Sequence, residues 1–391
     1  MILCHFQSIQ PGFLLEQETT LHWLALAHAR AEAAKSPYSK GLIDESFVSH
    51  MDNLFRRFGC SSKHIRTRRV AVEDFTHTDW ERMQLFSFAD NPHGPTMSQR
   101  SDCFRKIGKR VCGKAFPESL DPPDHLIHVT CTGYISPSCA QEVVVTNRWH
   151  ERTVVTHAYH MGCHASLPAI RIANGLISGA SSLRQDGVTG PQRADILHTE
   201  VCSIHLQTGD PSPEQLVVQS LFADGFIKYS VVNSTPEALA GSGLFVESMH
   251  EVLIPYTLGA MSWDCTEWGM RMGLSRDVPH MIAASLETFV EELCRRAGVS
   301  FQKIRPEALF AIHPGGPKII DRVQEMFHLS EEQIRISRTI MATCGNMSSA
   351  TLPHIWEAIV SESSIPDGTM VVSLAFGPGL SISGALMTKV S

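Results

Sequence analysis

Three residues have types and settings that suit thioester chemistry. Cys163 lies in the turn Met161-Gly162-Cys163-His164, between an apolar run and the helical pattern Leu167, Ile170, Ala173, Leu176, Ile177. A thiol at a helix start meets unpaired backbone N–H groups and the positive end of the helix dipole. Both favour the thiolate and could hold a developing oxyanion. His313 ends the apolar run Phe310-Ala311-Ile312 and is followed by Pro314-Gly315-Gly316-Pro317. A histidine fixed there could accept the thiol proton or donate to a thioester carbonyl. Asn346 sits in Gly345-Asn346-Met347-Ser348-Ser349, and its amide could hold an enolate oxygen by hydrogen bond. Each residue also has a plain structural reading: an inert buried cysteine, one of 20 histidines, a turn asparagine.

The elements that would position them alternate between helix-like and strand-like segments, which predicts an α/β fold. Residues 15–35 place Leu24, Ala27, Ala31 and Ala34 at helical spacing, with His28, Glu32 and Lys35 turned away. Residues 43–58 form a second amphipathic pattern. Leu126–Cys131 and Val143–Val145 are β-prone, and Arg152–His157 reads as a buried strand. Pro168 fits only the first turn of its helix. Gly162-Cys163 followed by Leu167-Pro168-Ala169-Ile170 is echoed by Gly345-Asn346 followed by Leu352-Pro353-His354-Ile355. The echo suggests a duplicated fold, with residues 1–232 carrying the cysteine and 233–391 the histidine and asparagine.

Together these segments resemble the chalcone and stilbene synthases, the type III polyketide synthases of the thiolase superfamily. The resemblance rests on Gly162-Cys163, Ile312 to Pro317, Gly345 to Ala350 and Phe376-Gly377-Pro378-Gly379-Leu380, with Leu221 to Gly225 as a further element. It implies a duplicated αβαβα five-layered thiolase fold and a homodimer. It implies that Cys163 takes an acyl chain, while His313 and Asn346 stabilise the oxyanion or enolate for Claisen condensation. Phe222 would then be a gatekeeper, Met272 would replace a second one, and Ser348 would lie at the substrate.

Departures from the family narrow this expectation. Leu54 and Ser61 stand where plant members have lysines that clamp coenzyme A, and only Arg57 remains. Carrier-bound chains could dock instead on Arg56, Arg57, Lys63 and Arg66, part of a basic run with Arg68 and Arg69. Trp263 replaces a small glycine of the elongation cavity and His205 a small polar residue, which predicts few condensations. Val129 to Tyr134, with Pro137, resembles bacterial members. Some of these join two β-keto acyl chains into an α-pyrone in myxopyronin and corallopyronin assembly.

Composition is ordinary: 391 residues, 43% hydrophobic and 19% charged. A net charge of −7 disfavours nucleic acid as partner. No apolar run is long enough to span a bilayer and no basic n-region opens the chain, so a cytoplasmic protein is expected. The 11 cysteines are odd in number and lack Cys-x-x-Cys spacing, so reduced thiols are expected rather than a disulfide framework. No cofactor is implied. A metal site at His157, His160, Cys163 and His164, a cysteine hydrolase and a non-catalytic scaffold are the rival readings.

Overall fold

A computed structural model describes residues 1–35, 42–88, 91–179, 193–239 and 241–391. In chain order the first part contains β1 (Ile2–Ile9), β2 (Phe13–Glu16), α1 (Gln17–Ala34), α2 (Glu45–Phe58), β3 (Thr67–Val70), α3 (Met97–Ala115), β4 (His125–Thr130) and α4 (Cys139–Thr146). Then come β5 (Val154–Tyr159), α5 (Ser166–Gly179), β6 (Arg193–Val201), α6 (Pro213–Leu221) and β7 (Asp224–Val232). The rest is β8 (Gly243–Leu253), β9 (Met261–Thr266), β10 (Gly269–Leu274), α7 (Val278–Arg296), α8 (Phe301–Ile304), β11 (Leu309–Ile312), α9 (Pro317–Phe327), α10 (Glu331–Cys344), α11 (Thr351–Ser361), β12 (Met370–Gly377) and β13 (Ser381–Val390).

Nine strands form one hydrogen-bonded sheet in the order β11-β12-β13-β8-β1-β7-β6-β4-β5. The strands before residue 233 occupy one side and those after it the other. They are joined where Ile2 of β1 pairs with Phe245 of β8. Alternating side chains feed two cores from each strand, as a period of two requires. On β4, Leu126 packs with α1 to α4, whereas Ile127 faces α5. On β11, Phe310 and Ile312 pack with α7, α9 and α10, whereas Ala311 faces α11. The central core therefore lies around α5 and α11, between strands of both halves, with helices outside each half. That is the five-layered αβαβα arrangement. Strands buried on both faces, such as β12, read as near-continuous apolar runs for this reason, broken in β12 by Ser373.

Several local expectations change. Val143–Val145 lies inside α4, which starts with a capping box between Ser138 and Gln141. Its three valines mimic a strand, but its cap residues fix a helix. The Arg152–His157 strand is β5, at the sheet edge, and Val154 is 59% exposed rather than buried. His28 turns inward, with Nε2 2.8 Å from Gln219 Oε1. Among the described residues no helix is long and apolar enough to cross a membrane.

Candidate active site

Cys163 is held in a turn just ahead of α5. Gly162 makes that turn with φ +84°, and a Cβ there would stand 2.4 Å from Pro378 Cδ. No L side chain fits that position. The Gly162 N–H donates to Cys131 Sγ at 3.1 Å. On the other half, Gly345 ends α10 at φ +79° and Asn346 follows. Asn346 is tied to the segment around Phe222: its N–H donates to Leu221 O at 3.0 Å, and its carbonyl accepts from Ala223 N at 2.8 Å. His313 continues from β11, its N–H donating to Leu374 O at 2.8 Å.

The three side chains line one cavity of about 970 Å³, at the large end of the roughly 300–1,000 Å³ usual for ligand sites. Asn346 Oδ1 accepts the Ser348 N–H at 2.9 Å, so the amide nitrogen is left for the cavity. Asn346 Nδ2 and both ring nitrogens of His313 are buried without a protein partner. Buried polar atoms of this kind, the Asn346 NH₂ and the one donor and one acceptor of a neutral imidazole, cost free energy unless a ligand or water satisfies them. Cys163 Sγ lies 3.7 Å from Ser348 Oγ. Ser348 itself has φ +51°, a strained backbone for a non-glycine residue.

Electrostatics correct the expected thiolate. Burial pushes the Cys163 thiol up to about 12; the Ser348 hydrogen bond lowers it, and the Glu200 charge adds to the rise. Burial, with a smaller effect of His164, brings His313 down to about 3. Desolvation thus favours the neutral forms of both the Cys163 thiol and the His313 imidazole. Behind the thiol, Glu200 is buried, and burial raises its pKa. Its carboxyl accepts from Cys131 N at 3.0 Å and Thr132 Oγ1 at 2.9 Å, and also from Ser349.

A second cavity of about 50 Å³ is lined by His205, Trp263, Phe222 and Met272, among others. Phe222 and Met272 line both cavities and so stand between them. Trp263 pairs with Met272 across the β9–β10 ribbon and donates from Nε1 to Cys131 O at 2.6 Å. His205 donates from Nε2 to Thr132 O at 2.8 Å, accepts Met270 N–H at Nδ1, and meets the indole edge-on. Both side chains are therefore fixed in place, and the space left beyond Phe222 holds only a few water molecules.

The basic residues separate. Arg56 and Arg57 line the mouth of the large cavity, whereas Lys63 and Arg66 do not. Arg68 is buried and donates to Gln219 O and Phe222 O, so it is not part of a surface patch. Two further exposed cations, Arg276 and Lys318, line the same mouth. Lys318 follows the Gly-Gly-Pro turn after His313, so its place was legible; nothing in the sequence pointed to Arg276. The proposed metal ligands do not converge. His157 Nε2 bonds Ser138 Oγ at 2.8 Å, and among the described residues no group of three or more His, Cys, Asp or Glu is placed to hold a metal ion.

Residues 245–391 match the family of chalcone and stilbene synthases, C-terminal domain. The chain is 27% identical over 313 residues to "Probable polyketide synthase 1" of Dictyostelium discoideum, covering 76% of this chain and 9% of that protein. It thus spans about a tenth of that relative's length. Its fold is similar to the C-terminal type III polyketide synthase domain of Steely1, a Dictyostelium type I/III hybrid (TM-score 0.78, 22% identity, covering 100% of this chain and 99% of that one). It is also similar to 1,3,6,8-tetrahydroxynaphthalene synthase of Streptomyces coelicolor (TM-score 0.77, 21% identity, 100% of both chains). A third neighbour is a type III pentaketide synthase of Neurospora crassa (TM-score 0.78, 19% identity, 99% of both chains).

Proposed function

We infer that this chain is a member of the chalcone and stilbene synthase family of type III polyketide synthases, and a ketosynthase that condenses acyl thioesters through an acyl-Cys163 intermediate. The observation that carries the reading is the single cavity holding Cys163, His313 and Asn346, with three buried polar atoms left for a ligand. Cys163 attacks the first thioester carbonyl as its proton leaves toward His313 Nε2 or Nδ1, and the carrier thiol departs. The second chain becomes an enolate by giving an α-proton to His313, or by losing carbon dioxide where it is a malonyl unit, and the enolate oxygen accepts from Asn346 Nδ2 and the His313 N–H. Its carbon attacks the acyl-Cys163 carbonyl, and Cys163 leaves as the thiolate, which regains a proton from His313 or from solvent. Preorganised donors in a dry site suit the developing charge.

The collapsed space beyond Phe222 and Met272 favours one condensation of a long chain over repeated extension. With β-keto acyl chains on both partners, the new enol oxygen can close on the remaining thioester carbonyl, expel the second carrier thiol and give an α-pyrone. Arg56, Arg57, Arg276 and Lys318 at the mouth suit an acidic acyl carrier protein. The same cations suit the phosphates of coenzyme A, which supports the second reading: an acyl-CoA starter extended with malonyl-CoA. The unpaired outer edge of β5, with exposed Val154, Val145 and Tyr134, supports a homodimer.

The test offers β-keto acyl chains on an acyl carrier protein or on coenzyme A, with and without malonyl-CoA, and identifies products by mass. α-Pyrone formed from two carrier-bound chains supports the first reading. Efficient malonyl-CoA-dependent extension of free acyl-CoA, with no use of carrier-bound chains, sinks it.

A further inference from the structure

The donor set of the site depends on a side chain that touches no substrate. Asn346 can present its NH₂ to the cavity only if its carbonyl oxygen is held elsewhere, since the two ends of an amide differ only in donor and acceptor character. That oxygen is held by the Ser348 N–H at 2.9 Å. That N–H is placed by the backbone of Asn346 and Met347, and the same turn continues through Ser348 at an unusual φ of +51°. Left-handed backbone costs free energy at a non-glycine residue and persists only where neighbours over-determine it.

Thr351, the first residue of α11, does this. Its hydroxyl accepts the Met347 N–H at 2.8 Å and lies 3.0 Å from Ser348 O and 3.5 Å from Asn346 Oδ1. One hydroxyl proton can serve one acceptor well, and the shorter contact takes it. Thr351 thus clasps the turn from both sides, at a donor of Met347 and an acceptor of Ser348. The same turn sets Ser348 Oγ 3.7 Å from Cys163 Sγ. Thr351 is fully buried, so water cannot replace its hydroxyl.

We propose that Thr351 is a positioning residue for condensation: its hydroxyl locks the Met347–Ser348 turn and thereby aims the Asn346 amide donor at the enolate oxygen. The proposal rests on the ketosynthase reading, yet it separates two half-reactions. Loading of Cys163 needs the thiol and an oxyanion donor; enolate formation needs the Asn346 amide. A loosened amide should harm the second far more than the first.

The experiment compares the native chain with Thr351→Val, which keeps the shape and removes the hydroxyl, and Thr351→Ser, which keeps the hydroxyl. Two rates are read: acylation of Cys163 by a hexanoyl thioester, by intact mass, and the enolate-dependent step, read as coupled product from two carrier-bound β-keto acyl chains or as labelled carbon dioxide from malonyl-CoA, whichever the native chain turns over. Removing an oriented donor costs about 100- to 1,000-fold in related sites, so a misaimed one should cost about 10- to 100-fold. Thr351→Val should lose that much of the enolate-dependent rate, with acylation within about threefold, and Thr351→Ser should restore it. Equal loss in both rates, or no recovery with serine, overturns the positioning role and leaves the ketosynthase reading standing. A native chain that neither loads Cys163 nor carries out the enolate-dependent step with either substrate set overturns both. A melting curve for each variant separates misfolding from mispositioning; if Thr351→Val is unfolded, Thr351→Ala, which also lacks the hydroxyl, takes its place in the comparison with serine.

Discussion

Replacing Trp263 with alanine should lengthen the product. The indole sits on β9 opposite Met272, touches His205 edge-on and donates to Cys131 O at 2.6 Å. It borders a cavity of only about 50 Å³, so its loss multiplies the room beyond Phe222. Trp→Ala in a core costs roughly 3–5 kcal/mol, and the half-buried Trp263 belongs at the low end. The lost hydrogen bond is inside that figure, at about 1 kcal/mol. At roughly 2–4 °C per kcal/mol for large domains, a cost of about 3 kcal/mol lowers Tm by about 6–12 °C. The assay is a product profile by mass, from one starter and excess malonyl-CoA, below the variant's Tm. At least one further extension should appear. An unchanged profile from a folded variant would refute the claim that Trp263 limits elongation.

Other outcomes follow from the same geometry. Because burial holds the Cys163 thiol at about 12, alkylation of Cys163 by iodoacetamide should climb steadily from pH 7 to pH 10; a plateau near neutrality would reveal a thiolate–imidazolium pair instead. Buried His198, His205, His313 and His354 are lowered to about 3 and His28 to about 4, against 6.5 unfolded. The unfolded chain then binds more protons below pH 6.5, so stability falls as pH falls through that window. Each such group contributes on the order of 1.4 kcal/mol per pH unit, partly offset by buried Asp224, raised to about 6. Urea midpoints should drop steeply from pH 6.5 to 5, and a flat profile would contradict neutral buried histidines. Replacing Arg276 and Lys318 together with alanine should raise KM for anionic thioesters about three- to tenfold and flatten its salt dependence, with kcat little changed.

What the sequence disclosed follows from how local each feature is. The turns around Cys163 and Asn346 were visible because glycine and proline mark them and apolar spacing marks α5 and α11. Val143–Val145 misled because three valines outweigh a short helix unless the Ser138 and Gln141 cap is weighed. The exposure of β5 depends on its being last in the sheet order, which no segment of sequence states. Arg56 meets Arg276 and Lys318 at one mouth only through folding of distant segments. The direction of the Cys163 shift was missed because burial is a property of the surroundings, and here it overrides the helix start.

The most direct test of the account is to trap the first intermediate. Native chain and Cys163→Ala are incubated with an acyl thioester, digested and mapped by mass, and the carbon–carbon coupled product is measured in parallel. The account predicts one acyl group on the Cys163 peptide of the native chain, none in the variant, and coupled product only from the native chain. An acyl group on another cysteine, or an acyl-Cys163 that yields only free acid, would contradict it.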